Sequence, residues 1–444
     1  MYKSVGLALL LLLWASGAGA MTIERVTSPG GIEAWLVEDH TLPVVSIRFA
    51  FPGGAALDPP GKGGLAVMAT SLLDEGAGPY DSAAFKTRLE NLAADLRFEA
   101  GRDEIGGSLR SLKRNLSETA DLLRVALTSP RFESAAIERV RGELAASLSQ
   151  QSHSPRALSD RLWMRDAFED HPYGENVNGT VRSVAAITRE ELIGFADQRL
   201  RRPGLVVGAV GDITADELAG LIDQVFGGLP TDGSEARVAE TRPAENGGVL
   251  ITRRQVPQSA VTFGQIGPKR DDPEWYAARL VNDILGGGGF RGRLMREIRE
   301  KRGLAYAVST ELVSFRHAGL ILGSVATENA RVGQSIALIQ AQWRLMHDEG
   351  PSQPELDLAK DYLIGSFPLS LDTGARVASV LVEIQLQKLG IDYFDRRAAL
   401  FGAVTLDQAR RVAHNLLDPD RLSFAVVGDP ADLTPTRIPP DPGL

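Results

Sequence analysis

The sequence contains no cysteine and only six histidines among its 444 residues. The absence of cysteine excludes disulfide bonds, cysteine-ligated zinc sites, thiol catalysis and the lipid-anchored bacterial lipoproteins, whose anchor is a cysteine. The histidines stand at positions 40, 153, 171, 317, 347 and 414, and no two are three to five residues apart. A pair of histidine ligands on neighbouring turns of one helix is therefore excluded as well.

Positive charge is in the minority, with 48 lysines and arginines against 57 aspartates and glutamates and a formal net charge of -9. Without Lys3, which lies in the N-terminal segment discussed next, 47 basic residues remain and the net charge is -10. An acidic chain of this kind disfavours nucleic acid as the main partner. A hydrophobic fraction of 43% is ordinary for a globular protein, and the length favours two domains.

Long apolar runs are rare, and the clearest one lies in residues 1–20, MYKSVGLALLLLLWASGAGA. Lys3 precedes the apolar residues 5–14, and residues 18–20 have the small side chains of a cleavage site. About ten apolar residues are too few for a bilayer, which needs roughly 20. A secretory signal cut after Ala20 is therefore favoured over a membrane anchor, and we expect a periplasmic or secreted protein without such an anchor.

Two segments of the chain, residues 187–213 and 404–430, match at a constant offset of 217 residues. Each begins at a threonine suited to cap a helix, Thr188 or Thr405, and continues as an amphipathic helix. Each then ends in a short apolar strand closed by Gly-Asp. The repeat predicts two homologous halves of about 200 residues each.

The order of predicted elements favours an α+β fold, in which each domain has a mostly antiparallel sheet with helices packed on one face. The alternation in VVSIRFAF, residues 44–51, predicts a half-buried strand. Further strands are expected near 303–325, and helices over 64–74, 81–95, 116–128, 134–150, 188–201, 273–285, 290–300, 329–348, 353–364 and 405–416. We expect a signal in 1–20, an N-terminal domain in 21–241, a linker in 242–250 and a C-terminal domain in 251–444.

The most distinctive segment is LGGGGFRGRLMREIREKRGLAYAVST, residues 285–310. Four consecutive glycines allow the backbone to bend freely, and a helix rich in arginine and glutamate follows before a glycine and a strand. A phosphate-binding loop is disfavoured, because no G-K-[ST] sequence follows the glycines. On its own, the segment reads as a solvated basic helix with a flexible N-terminal turn.

This segment resembles the second-domain signature of the pitrilysin/insulinase-like zinc peptidases, which include the two-domain mitochondrial processing peptidase. Further pieces in the order of that family are FPGGAALDPPGKGGLA, DEGAGPYDSAAF, SPRFESAAIERVRGEL and HPYGENVNGT. Each piece is weak alone, but their order and spacing are specific together and cover nearly all of the chain after the signal. The resemblance implies homologous α+β domains, in agreement with the internal repeat.

Active members of that family carry H-x-x-E-H on the first helix of the first half, with two histidine ligands, a glutamate base and a later glutamate ligand. In GKGGLAVMATSLLDEG, residues 61–76, the histidine positions hold Val67 and Ser71, and the base position holds Thr70. The later ligand falls on Ser147, beside side chains that suit helix packing. We expect no zinc in this chain, a surface charge pair at Asp74 and Glu75, and a structural role for His171.

The resemblance also implies that an arginine and a tyrosine, seven residues apart, contact the substrate from across the cleft. Arg299 and Tyr306 have this spacing. The plainer alternatives are an ion pair of Arg299 with Glu297 or Glu300, and packing of Tyr306 on the sheet. The resemblance favours the substrate-binding role, and it places the glycine turn and its neighbour at the cleft: Gly286, Gly287, Gly288, Gly289 and Phe290.

Together these features predict a subunit that is inactive alone and lacks a cofactor of its own. A homologous partner bearing H-x-x-E-H would supply the zinc, and the pair would form a heterodimeric zinc metallopeptidase acting on peptides or unfolded proteins. The alternative is a subunit with a peptidase-like fold and a structural, peptide-binding or chaperone role without catalysis.

Overall fold

The computed structural model describes residues 21–233, 238–431 and 433–441, so the predicted signal in residues 1–20 lies outside the described part. The strands are β1 (Glu24–Thr27), β2 (Glu33–Glu38), β3 (Val44–Pro52), β4 (Gly76–Ala77), β5 (Tyr80–Asp81), β6 (Asp95–Ala100), β7 (Glu104–Leu112), β8 (Val206–Gly211), β9 (Gly248–Arg253), β10 (Gln258–Ile266), β11 (Ala305–Ser314), β12 (Gly319–Glu328) and β13 (Ser423–Gly428). The helices are α1 (Leu65–Thr70), α2 (Ser82–Asn91), α3 (Leu116–Thr128), α4 (Ser134–Ser152), α5 (Pro155–Ala167), α6 (Val181–Ala185), α7 (Arg189–Arg199), α8 (Ala215–Phe226), α9 (Trp275–Asn282), α10 (Val332–Asp348), α11 (Gln353–Gly365), α12 (Gly374–Leu386), α13 (Tyr393–Gly402) and α14 (Leu406–Leu416).

Two large sheets organise the molecule, with the strand orders β1-β2-β8-β3-β7-β6 and β11-β12-β10-β13-β9. Each sheet contains one parallel pair, β2 with β8 and β9 with β13, and its other neighbours are antiparallel. Written in reverse, the second sheet is β9-β13-β10-β12-β11, and these strands correspond in order to β2-β8-β3-β7-β6 of the first sheet. This common order is what a duplication of one unit produces.

The matched segments of the repeat occupy equivalent places in the two sheets. Thr188 caps α7 by accepting a hydrogen bond from the Glu191 backbone, and Thr405 caps α14 in the same way from Gln408. The strands that follow, β8 and β13, each lie between an antiparallel and a parallel neighbour. Gly211, which ends β8, has φ of 133° and backbone contacts that leave no room for a side chain.

Helices from the same half cover one face of each sheet and form the two main cores. The opposite face of each sheet is covered by a helix from the other half. Helix α5 packs on β10 and β13, where Trp163 joins Ala425 and Val427. Helix α12 packs on β3 and β8, where Leu381 joins Trp35 and Val210 in a separate apolar cluster.

The α+β fold with largely antiparallel sheets is confirmed. Helices α5 and α12, each of which packs on the sheet of the other half, are called the exchanged helices below, and they add a second layer to each sheet. The prediction of a half-buried β3 is wrong, because α12 covers the face that was expected to meet solvent. Ser46 on that face is buried, and Arg48 is only partly exposed. Among the described residues, no helix is long and apolar enough to cross a membrane.

Candidate functional site

The first candidate region is helix α1, which carries the positions of the missing zinc motif. The Asp58 carboxylate accepts hydrogen bonds from the backbone of Gly64 at 3.0 Å and Ala66 at 3.1 Å, and so holds the first turn of the helix. Burial raises the pKa of Asp58 to about 7. The helix ends at Thr70, earlier than the predicted end at residue 74, and turns follow it.

The side chains at the motif positions are committed to the backbone of α1. The Thr70 hydroxyl, in a residue only 2% exposed, donates to the Ala66 carbonyl at 2.9 Å. The Ser71 hydroxyl donates to the Val67 carbonyl at 2.8 Å, and Val67 offers no polar atom on its side chain. Because zinc requires imidazole, thiolate or carboxylate ligands, these residues do not fit a zinc ion.

Ser147 lies on α4, where its hydroxyl accepts a hydrogen bond from Gln151 Nε2 at 3.3 Å. Ser147 is exposed, so the expected packing of this position is wrong. Val140 and Leu148 on the same helix are buried, and they carry the packing instead. Among the residues that the structure describes, no three histidine, aspartate or glutamate side chains are placed to hold a metal ion.

The expectation of a surface charge pair at Asp74 and Glu75 is wrong, because Glu75 is buried. Its carboxylate accepts from Lys86 Nζ at 2.6 Å and the Ser82 hydroxyl at 2.5 Å, and it also pairs with Arg139. Burial acts to raise the pKa of Glu75, but these bonds outweigh it and the pKa is lowered. Burial, followed by the charge of Glu75, raises the pKa of Asp74 to about 6.

The second candidate region brings Arg299 and Tyr306 together. The guanidinium carbon of Arg299 lies 4.9 Å from the centre of the Tyr306 ring and 4.6 Å from the centre of the Phe290 ring. Tyr306 is 85% exposed and Phe290 is 63% exposed. The three side chains form an exposed aromatic–arginine cluster, which is called the Arg299 cluster below.

The structure matches neither of the plainer alternatives, an ion pair of Arg299 with a nearby glutamate or packing of Tyr306 on the sheet. Glu297 is already paired with Lys301 at 2.6 Å and Arg302 at 2.8 Å, and no carboxylate within the described ranges pairs with Arg299. The exposure of Tyr306 excludes packing on the sheet. The Arg299 guanidinium therefore has its N–H donors available to a ligand.

A β-bulge aims Tyr306 outward. Strand β11 is an edge strand, and its register against β12 shifts between Ala305 and Val308. The extra residue leaves both Tyr306 and Ala307 exposed, where regular alternation would bury one of them. The same edge position leaves backbone hydrogen-bonding groups of β11 without a neighbouring strand.

The glycine turn places Phe290 against Arg299. The turn forms a π-helical segment, Asp283–Gly287, and a 3-10 segment, Gly289–Arg291, instead of leading straight into the predicted helix over 290–300. A Cβ on Gly286 would lie 2.6 Å from the Thr310 hydroxyl, so the close approach of turn and strand requires glycine there. A second π-helical segment, Met295–Glu300, carries Arg299.

Arg291 anchors the end of the turn. Its guanidinium lies 3.5 Å from the buried Asp283 carboxylate, and its guanidinium carbon lies 3.5 Å from the centre of the Tyr362 ring. Burial raises the pKa of Asp283, and the charge of Arg291 opposes that rise. Because Arg291 directly follows Phe290, this anchor fixes the chain next to the Phe290 ring, which the glycine pattern alone did not reveal.

His171 lies at a contact between the halves. Its Nδ1 accepts from the Tyr173 backbone at 3.1 Å, and its Nε2 lies 3.0 Å from the Ala239 carbonyl. The Tyr173 hydroxyl donates to Asp103 at 2.5 Å and accepts from the His317 backbone. These contacts join chain segments and suit the structural role expected for His171.

The fold and the two regions are those expected of a pitrilysin-like protein without the zinc motif. Residues 186–363 match the family model described as peptidase M16 inactive domain. The resemblance predicted from the sequence is confirmed.

Individual relatives agree with this assignment. The chain is 29% identical to "Non-peptidase homolog YmxG" of Helicobacter pylori over 80% of this chain and 82% of that protein. It is 25% identical to an uncharacterized zinc protease of Mycobacterium leprae over 91% of each chain. Its structure is similar to the peptidase M16 inactive domain from Pseudomonas fluorescens, with a TM-score of 0.87 and 27% identity over 93% of this chain and 99% of that one.

Proposed function

We propose that this protein is the subunit of a heterodimeric zinc metallopeptidase that binds substrate but holds no metal. A homologous partner bearing H-x-x-E-H would supply the zinc, its ligands and the glutamate base. The N-terminal signal pattern supports a periplasmic or secreted location for the pair. Peptides and unfolded protein segments are the proposed substrates.

The observation that carries this proposal is the Arg299 cluster. Arg299 and Tyr306 lie together on an exposed surface. A π-helical segment positions Arg299 and a β-bulge positions Tyr306, and both features interrupt the regular hydrogen-bond pattern of the backbone. In the proposed complex, Arg299 and the Tyr306 hydroxyl donate hydrogen bonds to a carbonyl of the substrate. Such donors position the peptide and stabilise negative charge that develops on its oxygen.

The edge strand beside the cluster offers a way to hold an extended substrate. A peptide can add to the free edge of β11 through main-chain hydrogen bonds, which do not depend on its side chains. Binding of this kind suits unfolded segments, because their backbone groups are free to pair. The glycine turn would shape the end of the same cleft.

The proposal is tested by purifying the full chain alone and together with a co-expressed H-x-x-E-H homologue, then measuring zinc content and peptide cleavage. We expect zinc and activity only in the complex. In the complex, Arg299→Ala or Tyr306→Phe should lower kcat/KM by about 100- to 1,000-fold, the range found for loss of one oxyanion donor, while zinc occupancy stays constant. Lys301→Ala is the matched control, because Lys301 is exposed nearby and its ion pair within the described part of the chain is with Glu297.

Two outcomes would contradict the proposal. Zinc-dependent cleavage by the chain alone would show that it carries a metal site of its own. Equal turnover of the complex before and after substitution of Arg299 and Tyr306 would remove them from catalysis.

The second candidate function is peptide binding without catalysis, as a structural or chaperone subunit. Two exposed aromatic rings around a free guanidinium could hold a peptide that is never cut, and one relative is named a non-peptidase homolog. Binding of unfolded peptides by the chain alone, with no cleavage in any complex, would favour this function.

A further inference from the structure

A separate cavity of 270 Å³ lies at the C-terminal end of α4. Its wall contains Ser152 and His153 at the end of α4, Arg161 from α5 and Thr180 at the start of α6. Arg254, from the connection between β9 and β10, closes it from the other half of the chain. It is called the α4 cavity below.

Arg161 contributes a partly buried positive charge to this cavity. Its Nη2 donates to Gln151 Oε1 at 2.9 Å, a neutral acceptor. Among the residues that the structure describes, no carboxylate forms an ion pair with it. Burial lowers the pKa of the guanidinium, and no acidic neighbour opposes that shift. A charge withdrawn from water without a counter-ion is costly, so this geometry favours an anion.

Arg254 adds a second positive charge to the same wall. The Arg254 side chain is exposed, and within the described ranges its guanidinium has neither a hydrogen bond nor an ion pair. Its neighbour Arg253 differs, because it pairs with Asp429 at 2.8 Å. His153 donates from Nδ1 to the Ser149 carbonyl at 2.8 Å, so Nε2 of the neutral ring is an acceptor and the two guanidinium groups remain the donors of this wall.

The charge of the wall is opposite to that of the chain. Arg161 and Arg254 line the α4 cavity, and the described wall contains no aspartate or glutamate. The whole chain has a net charge of -9. Such a local reversal concentrates anions at the cavity.

We propose that the α4 cavity is an oxyanion-binding site in which Arg161 and Arg254 grip one ligand from the two halves. Guanidinium groups bind carboxylate, sulfate and phosphate oxygens through paired charge-assisted hydrogen bonds. The ligand is a free oxyanion or the carboxylate of a peptide, and the two sources share this chemistry.

A hydrogen-bond chain connects the α4 cavity to the position of the missing zinc ligand. Arg161 donates to Gln151, and Gln151 in turn donates to Ser147 at 3.3 Å. A peptide carboxylate held in the α4 cavity would therefore lie near Ser147, on the exposed side of α4. This peptide version rests on the proposed function, whereas binding of a free oxyanion does not.

The test is isothermal titration calorimetry on the purified full chain with three probes at constant ionic strength. They are sodium sulfate, a pentapeptide with a free C-terminal carboxylate, and the same pentapeptide as a C-terminal amide. Arg254→Gln should weaken binding of the responding anion about tenfold or more, as expected for loss of a charge-assisted contact. Arg253→Gln is the matched control and should bind like the unaltered chain.

Each outcome decides between the versions. Sulfate binding that Arg254→Gln weakens identifies a free-oxyanion site, and binding of the acid peptide but not its amide identifies a peptide carboxylate. The proposal is overturned if neither sulfate nor the acid peptide binds, or if Arg254→Gln changes nothing. Because Arg161 is partly buried, Arg161→Gln is interpreted only alongside its melting curve, and the exposed Arg254 carries the decision.

A separate readout keeps this inference distinct from the proposed function. Cleavage of the amidated peptide by the heterodimer should be unaffected by Arg254→Gln, since that substrate has no terminal carboxylate. If no complex cleaves any peptide, anion binding by the chain alone still stands or fails on the calorimetry.

Discussion

At the scale of single residues, Arg299 is held by two aromatic rings instead of a carboxylate. A carboxylate partner would neutralise the guanidinium and occupy its donors, whereas ring faces fix its position and leave the donors free. The contacts with Phe290 and Tyr306 are therefore suited to present Arg299 to a ligand. Phe290 is the less obvious of the two rings, and it gives the most specific prediction.

Phe290→Ala should raise KM of the proposed heterodimer about two- to fivefold and change kcat less, because an exposed cation–π contact contributes about 0.5–1 kcal/mol. Steady-state kinetics on an extended peptide would measure this, with zinc content as an internal check. Leu369→Ala is the control, since Leu369 is also a strongly exposed apolar residue but lies outside the cluster. An equal effect of both substitutions would argue against a specific role for Phe290.

The family resemblance implied that Arg299 and Tyr306 act at one site, but the sequence did not predict what surrounds them. The bulge at Tyr306 and the π-helical segments have no simple sequence period, so a regular helix was expected over 290–300. Glu75 was misjudged for a related reason. The partners of its buried carboxylate, Lys86 and Arg139, lie on two other helices that only tertiary structure brings together.

At the scale of helices and strands, helix α12 was missed from the sequence, and one face of β3 was therefore wrongly predicted to meet solvent. Helix α3 was predicted with its observed ends, Leu116–Thr128, because its apolar face follows the period of a helix against one sheet. Helix α12 was not predicted, although its buried residues Val377, Ala378, Leu381 and Val382 recur with the period of a helix. Its presence on the first sheet also buried the face of β3 that was expected to be exposed.

Gly208 on β8 permits the close approach of α12. A Cβ there would lie 2.8 Å from the Ala378 carbonyl and 2.9 Å from Leu381 Cβ. Gly208→Val should therefore lower the free energy of unfolding by about 2 kcal/mol or more, the size of an overpacking penalty. Urea unfolding followed by circular dichroism would measure the change.

Gly220→Ala provides the matched control for that substitution. Gly220 lies on helix α8 and its Cβ would meet no atom within 4 Å, so alanine should raise stability by about 0.5–1 kcal/mol. Equal destabilisation by both substitutions would contradict the proposed close packing at Gly208.

At the scale of the whole molecule, one carboxyl group links stability to pH across the contact between the halves. Glu104 lies on β7, in a cavity closed by α12. Burial, followed by the charges of Asp103 and Glu383, raises the pKa of Glu104 to about 7. The side chain is thus protonated in the folded protein at pH values where it ionises in the unfolded chain.

Because the folded pKa of Glu104 is the higher one, its contribution favours folding at low pH and is lost as pH rises from about 4 through about 7. Glu104→Gln should remove this contribution and flatten the fall in melting temperature between pH 5 and pH 8. Glu24→Gln, at an exposed position on β1, should leave the slope unchanged. A slope that Glu104→Gln does not alter would contradict the assignment.

The exchange of α5 and α12 has a consequence for the integrity of the chain. Each half carries the helix that shields the other half's sheet, so the two halves interlock without depending on the peptide that joins α8 to β9. A protease that nicks this peptide should leave a particle of unchanged size, whose fragments part only in denaturant. The same interlocking predicts that two separately expressed pieces, cut at this point, can reassemble into the complete protein.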